Sequence, residues 1–202
     1  MKTYSSVWPF SADHIHTWAY YENALTKEEC EQIITYGNTI ALEQAGIGTP
    51  TAGVSGHFDT NINYRNSLVG WIYPTDEIEW LFRRISSIIL DLNENYFKFD
   101  LFGLIESLQF TRYDAPEGRY GFHIDKLFNG PIRKLSIVIQ LSEEESYEGG
   151  NLELLIAENP GIVNKSQGYL VTFPSYTLHQ VTPVTRGTRY SLVAWVTGPN
   201  FK

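Results

Sequence analysis

The chain has 202 residues, enough for one ordinary domain with its own core and no need of staples. A hydrophobic content of 43% with 14% aromatics, and no run of about 18 apolar residues, describe a globular protein without a membrane span. The formal charge of −8, with Lys and Arg scattered instead of forming a stripe, opposes nucleic acid as a partner. The single cysteine, Cys30, makes no internal disulfide and no cysteine metal cage, and the opening MKTYSSVWPFSADHIH holds no secretory apolar run. A cytoplasmic location is the expectation; the oligomeric state is left open.

Two segments of the first half carry helical periodicity. In LTKEECEQIITYGN, Thr26 is placed to cap a helix with Glu28 and Glu29 in its first turn and Gly37 at its end. In TDEIEWLFRRISSIILDLNENYF, Ile78, Leu81, Phe82, Ile85, Ile88, Ile89 and Leu92 recur at spacings of three and four. Residues 43–63, between the helices, are rich in Gly, Thr and Asn and read as a long irregular loop, of a kind that is functional or disordered in a compact domain.

The second half changes period. Ser107, Gln109, Thr111 and Tyr113 alternate with Leu104, Leu108 and Phe110, and Leu135, Ile137, Ile139 and Leu141 alternate with Lys134, Ser136 and Gln140. Further strands are expected over 151–156, 168–173, 178–184 and 188–197, set apart by turns at Gly149-Gly150, Pro160-Gly161, Pro174-Ser175 and Arg186-Gly187. The acidic run SEEES at 142–146 reads as a solvated loop. Short strands with regular turns predict a mostly β fold with flanking helices: a double-stranded β-helix, or jelly roll, with N-terminal helices on one side. Residues 1–202 are expected to form one domain, 1–100 the helical support region and 101–200 the jelly-roll core.

Within this frame, GFHIDKL places His123 two residues before Asp125. A strand has period two, so both side chains leave one face while Ile124 leaves the other, which lets them grip one ion. A ferrous site for oxygen chemistry takes two histidines and one carboxylate, leaving positions open. His179, in FPSYTLHQVTPV, supplies a third ligand, and Arg189 follows ten positions later in RGTRYSLVAWV. A buried guanidinium there can hold a carboxylate through two parallel hydrogen bonds. Metal and anchor together describe a pocket for a keto acid.

With these residues in place, the chain resembles the Fe(II)- and 2-oxoglutarate-dependent oxygenases, and among them the prolyl 4-hydroxylase-like group. The resemblance rests on SLQFTRYDAPEGRYGFHID, RKLSIVIQLSEEESYEGGNLELL, GYLVTFPSYTLHQVTPV and RGTRYSLVAWVTGP, in that order over about 104–198; the first half is similar only through its helix pair and Arg65-Asn66-Ser67. It implies that His123, Asp125 and His179 bind Fe(II), that Arg189 pairs with the distal carboxylate of 2-oxoglutarate, and that Tyr113 hydrogen-bonds this cosubstrate. Ser191, on the same strand face as Arg189, is a second hydrogen-bonding candidate. Tyr120, Arg65 and His57 are substrate-side candidates. The implied activity is a dioxygenase that spends O2 and 2-oxoglutarate, releases succinate and carbon dioxide, and hydroxylates an unactivated carbon, with ascorbate as a candidate accessory. A peptide or protein proline leads among substrates; a free amino acid or other small molecule is the alternative. The family usually has an acidic residue where this chain has Asn151.

Other readings compete for some of the same residue types. His57-Phe58-Asp59 repeats the His-x-Asp spacing, with His123 and Arg133 further on, but sits in a Gly-rich loop without a strand to fix a metal site. His14-Ile15-His16 has no third ligand and reads as a surface strand. Trp71, Trp80 and Trp195 read as packing residues, and Cys30 as buried and inert. No nucleophile elbow supports a Ser-His-Asp hydrolase. A cupin-like metal enzyme without a keto acid, and a binding module without turnover, complete the alternatives. Residues 43–63 and 142–150 are expected to shape the substrate entrance, the first of them as a mobile segment.

Overall fold

The computed structural model describes residues 16–46, 61–125 and 132–200. In chain order the elements are β1 (Ala19–Tyr21), α1 (Lys27–Gly37), β2 (Glu43–Gln44), β3 (Arg65–Asn66), β4 (Leu68–Ile72), α2 (Glu79–Leu92) continued by a π turn (Asn93–Phe97), and β5 (Gly103–Leu104). There follow β6 (Leu108–Asp114), β7 (Arg119–His123), β8 (Arg133–Gln140), β9 (Tyr147–Gly149), β10 (Leu152–Leu154), β11 (Gly161–Ile162), β12 (Leu170–Pro174), β13 (His179–Val181) and β14 (Val184–Thr197). They build two antiparallel sheets. The major sheet runs β1-β12-β8-β14-β6-β4-β2, with β5 and β9 also paired to β14; the minor sheet runs β11-β10-β13-β7-β3. This is the expected jelly roll with helices on one side.

Helix α1 starts where its sequence says. Thr26 accepts from the Glu29 amide while the Glu29 carboxylate accepts from the Thr26 amide, the reciprocal pair that satisfies two free donors of the first turn. Gly37 ends the helix for a different reason from the backbone freedom usually assigned to such a glycine: a Cβ there would lie 2.5 Å from the Phe110 ring, so its missing side chain lets α1 close onto β6. In α2, Leu81, Ile85, Ile88, Ile89 and Leu92 are buried, matching the three-four pattern. The helix begins later than Thr75, because residues 75–78 form a turn in which the Ile78 and Glu79 amides both donate to the Thr75 carbonyl.

The helices cover one face of the major sheet. Leu108 and Phe110 of β6, Leu135, Ile137 and Ile139 of β8, and Leu192, Ala194 and Val196 of β14 join the α2 residues in one apolar cluster. The other face of these strands points into the barrel. There β8 departs from the ordinary alternation, in which the polar side of an antiparallel strand meets water: Lys134, Ser136 and Gln140 are all buried.

Several expected boundaries are corrected. Arg186-Gly187 is not a turn; β14 runs through it, and the turn into β14 lies at Thr182-Pro183. One extra residue in β14 opposite β9, between Val184 and Arg186, makes a bulge, and Gly187 takes a left-handed φ of +72° where a Cβ would meet the Ser146 carbonyl oxygen at 2.2 Å. The strands expected over 151–156 and 178–184 shorten to three residues each. The N-terminal region also contributes β1–β4 to the sheets, which its weak alternation concealed. Most of the expected 43–63 loop lies outside the described residues. Among the described residues no helix is long and apolar enough to cross a membrane.

Candidate active site

The minor sheet sets two of the three expected ligands face to face. His123 ends β7 and His179 opens β13, and the two are directly paired in the ladder, with ring centroids 4.1 Å apart. Asp125 lies two residues beyond the end of β7, and its amide donates to the Ser175 carbonyl at 2.9 Å. Ile124 between them is 38% exposed, so the chain keeps the strand's alternation past its last ladder pair. His123 Nε2 stands 3.6 Å from Asp125 Oδ1 and His179 Nε2 stands 3.6 Å from Oδ2. The three donor atoms all lie within 4.8 Å of one another. Donors each about 2.1 Å from one ion and at right angles to each other lie about 3 Å apart, so a small closing movement suffices.

Both imidazoles are oriented from behind. His123 Nδ1 lies 2.8 Å from the Gly121 carbonyl and His179 Nδ1 lies 2.9 Å from the Thr177 carbonyl. A carbonyl only accepts, so Nδ1 carries the proton in each ring and the Nε2 lone pair is free for a metal. Burial, and then the neighbouring His179 ring, push His123 below the ordinary imidazole range, which keeps it neutral. For Asp125, burial acts upward, but the positive charge that the facing His179 and His123 rings carry when protonated, helped by the Ser136 hydroxyl, outweighs it and holds the carboxyl below its usual range. Two imidazole nitrogens and one carboxylate are the donor set that suits a ferrous ion.

Deeper in the barrel sits Arg189, 1% exposed and paired directly with Tyr113 across β14 and β6. Its guanidinium donates to Gln140 Oε1 at 2.8 Å and Ser191 Oγ at 3.2 Å, and lies 5.2 Å from the Tyr113 ring centroid. Both hydrogen-bond partners are neutral, Nε has no partner, and among the described residues no carboxylate pairs with it. A buried cation without a counter-charge is costly unless an anion completes it. A carboxylate-bearing ligand reaching toward the three ligands fits that need.

The segment 108–197, which carries all of these residues, matches the model of the 2OG-Fe(II) oxygenase superfamily. A PKHD-type hydroxylase of Klebsiella pneumoniae subsp. pneumoniae is 34% identical over 129 residues, 57% of this chain and 55% of the relative. One from Synechococcus sp. is 41% identical over 100 residues, 48% and 45% of the two chains. The chain thus spans about half the length of the relatives it matches. Two solved structures share the fold over most of both chains. A Pseudomonas putida prolyl-4-hydroxylase has a TM-score of 0.71 at 21% identity, covering 92% of this chain and 94% of that one. A Trichoplax adhaerens prolyl hydroxylase, solved with a peptide fragment of hypoxia inducible factor, has a TM-score of 0.73 at 17% identity, covering 90% and 84%.

Other expected residues fall around the oxygenase site as follows. Tyr120 stacks on His123, with centroids 3.5 Å apart, and Arg65 lies 4.2 Å over the far side of Tyr120, held by the Gly46 carbonyl at 2.8 Å. Tyr120 and His123 share a face although they are three positions apart, because β7 carries one extra residue opposite β13. Ser191 faces inward beside Arg189, and Asn151 is tied through its backbone to Thr182. His57 and Asp59 lie outside the described residues, while Arg133 of that rival set is engaged by Glu106 and stacked 3.8 Å over Trp195. His16 is exposed and precedes β1 instead of lying on a strand, which corrects its expected setting; Trp71, though 38% exposed, packs against Trp195 with ring centroids 6.3 Å apart, and His14 lies outside the described residues. Cys30 is fully buried and its thiol is pushed up to about 12 by burial.

Four residues of the site escaped the sequence reading: Gln140, which holds Arg189; Tyr147, buried beside it; and Ser136 and Ser175 behind Asp125. The available signal was the polar half of the β8 alternation, which reads as a solvent face until both sides of the strand are seen to be covered.

Proposed function

We propose that this chain is an Fe(II)- and 2-oxoglutarate-dependent dioxygenase that hydroxylates an unactivated carbon, with a proline of a peptide or protein as its substrate. The observation that carries the reading is the pairing of a two-histidine, one-carboxylate cluster with a buried Arg189 that has no carboxylate partner among the described residues. When bound, iron with 2-oxoglutarate and O2 supplies oxidative decarboxylation to succinate and carbon dioxide, coupled to hydroxylation.

The chain's own residues bind, orient and exclude water. His123, Asp125 and His179 present three donors from one side and leave the opposite side open. Arg189, with Gln140 and Ser191 fixing its plane, takes the distal carboxylate of the cosubstrate, and the Tyr113 hydroxyl lies within the same pocket to donate a hydrogen bond. Burial keeps Tyr113 protonated, raising its pKa above the ordinary phenol value despite the opposing Arg189 charge. The Arg65–Tyr120–His123 stack forms a wall on which the substrate lies. Peptide-bound proline is favoured by the likeness to two prolyl hydroxylases, one of them solved with a peptide fragment. The one cysteine, buried and unpaired, suits a reducing cytoplasm.

Anaerobic Fe(II) plus 2-oxoglutarate is expected to give a visible charge-transfer band that disappears in His179→Ala. An unchanged spectrum in that variant sinks the ligand set. Succinate release across proline peptides and free amino acids separates the peptide reading from the small-molecule one.

A further inference from the structure

Asp125 stands apart from the other two ligands in how it is held. His123 and His179 sit in ladder-paired strands, whereas Asp125 lies beyond the end of β7, where no ladder pair fixes it. Its supports come from the major sheet side. Ser136 Oγ of β8 lies 2.7 Å from Asp125 Oδ2, and Ser175 Oγ lies 3.0 Å from Ser136 Oγ. Both serines are fully buried, so water does not compete for these hydroxyls.

Proton bookkeeping orders this chain. Each serine hydroxyl has one proton to give, and an ionised carboxylate only accepts. The Ser136 proton therefore serves Asp125, and the proton between the hydroxyls belongs to Ser175. The result is a directed relay, Ser175 to Ser136 to Asp125 Oδ2, ending in a charge-assisted bond, the stronger class. Ser175 is itself fixed at both ends of its backbone: its amide donates to the Lys134 carbonyl at 3.0 Å and its carbonyl accepts from the Asp125 amide at 2.9 Å.

We propose that Ser136, backed by Ser175, is a positioning residue that occupies Oδ2 of Asp125, so that the carboxylate offers a metal Oδ1 alone. A carboxylate free to turn can chelate through both oxygens and so fill a coordination position; one whose Oδ2 is claimed by a buried hydroxyl keeps that position open for the cosubstrate or oxygen. This inference rests on the metal-binding reading of the site. Hydrogen-bond partners behind metal ligands affect affinity by about 10–100-fold.

The test uses Co(II) as the probe, titrated into the whole protein against a chromophoric chelator. Ser136→Ala is expected to bind Co(II) about 10–100-fold more weakly and to change its visible ligand-field spectrum. Ser136→Thr, which keeps the hydroxyl, is expected to restore both, a rescue that a packing role does not predict. Wild-type affinity and spectrum in Ser136→Ala overturn the inference, as does failure of Ser136→Thr to recover either. Should Ser136→Ala not fold, Ser175→Ala decides: weakened Co(II) binding supports the relay and unchanged binding removes it. A wild-type protein that takes up no Co(II) fails the metal-site reading itself, an outcome distinct from a wild type that binds and a variant that binds equally well.

Discussion

The two sheets divide the work of the molecule unequally. The major sheet has long central strands, seven to fourteen residues in β6, β8 and β14, and one face sealed by α1 and α2 over a continuous apolar cluster. The minor sheet is built from strands of two to five residues, and Phe122 and Ile162 on it are 38% and 61% exposed. Yet the minor sheet carries both histidines, while Arg189, Gln140, Tyr113 and Ser136 come from the major sheet. Stability is concentrated where the helices pack, and chemistry is assembled in the gap between the sheets. The thin sheet brings the two histidines together, and the well-packed one supplies Ser136 behind Asp125.

The division can be broken from the core side. Phe110 is fully buried, stacked on Tyr190 at 5.6 Å, and fills the space left by Gly37. Phe110→Ala is expected to lose about 3–5 kcal/mol in urea unfolding. Its Co(II) affinity, measured below the transition, should stay at the wild-type value; a parallel loss of affinity shows that the two regions are coupled.

The comparison sharpens at Arg189, where the major sheet buries a charge with no carboxylate partner among the described residues. Arg189→Met is expected to leave the ligand-free protein as stable as wild type or more so, since a lone buried cation is removed. The same variant should lose the protection that 2-oxoglutarate gives, about 2.7 kcal/mol at a hundred times its dissociation constant. Thermal melts with Co(II), with and without the cosubstrate, read both effects. A variant still protected by 2-oxoglutarate rules out Arg189 as the anchor.

The smallest effect lies farthest from the site. Thr26→Ala breaks the capping box of α1 and is expected to cost about 1 kcal/mol of stability with no change in Co(II) or 2-oxoglutarate binding. A change in either affinity would show that α1 supports the site as well as the core.

Local patterns made much of this legible. The three-four spacing of α2, the capping box at Thr26 and the two-residue step from His123 to Asp125 depend on neighbours along the chain, and the structure keeps all three. The Arg186-Gly187 turn failed because Gly accommodates a bulge and a turn with the same left-handed backbone, and only the pairing of β9 with β14 distinguishes them. The short strands of the N-terminal half failed because two or three residues hold too little alternation to read.

By itself, then, the sequence determined the helices, the succession of strands and the two-residue step that puts His123 and Asp125 on one side, because periodicity and spacing are properties of the covalent chain. Tertiary structure alone decided that His123 faces His179, that an extra residue in β7 brings Tyr120 onto the same face, and that the polar side of β8 looks into the barrel. Strand pairing and burial join residues more than fifty positions apart, as with His123 and His179, and no local pattern encodes which two strands will meet.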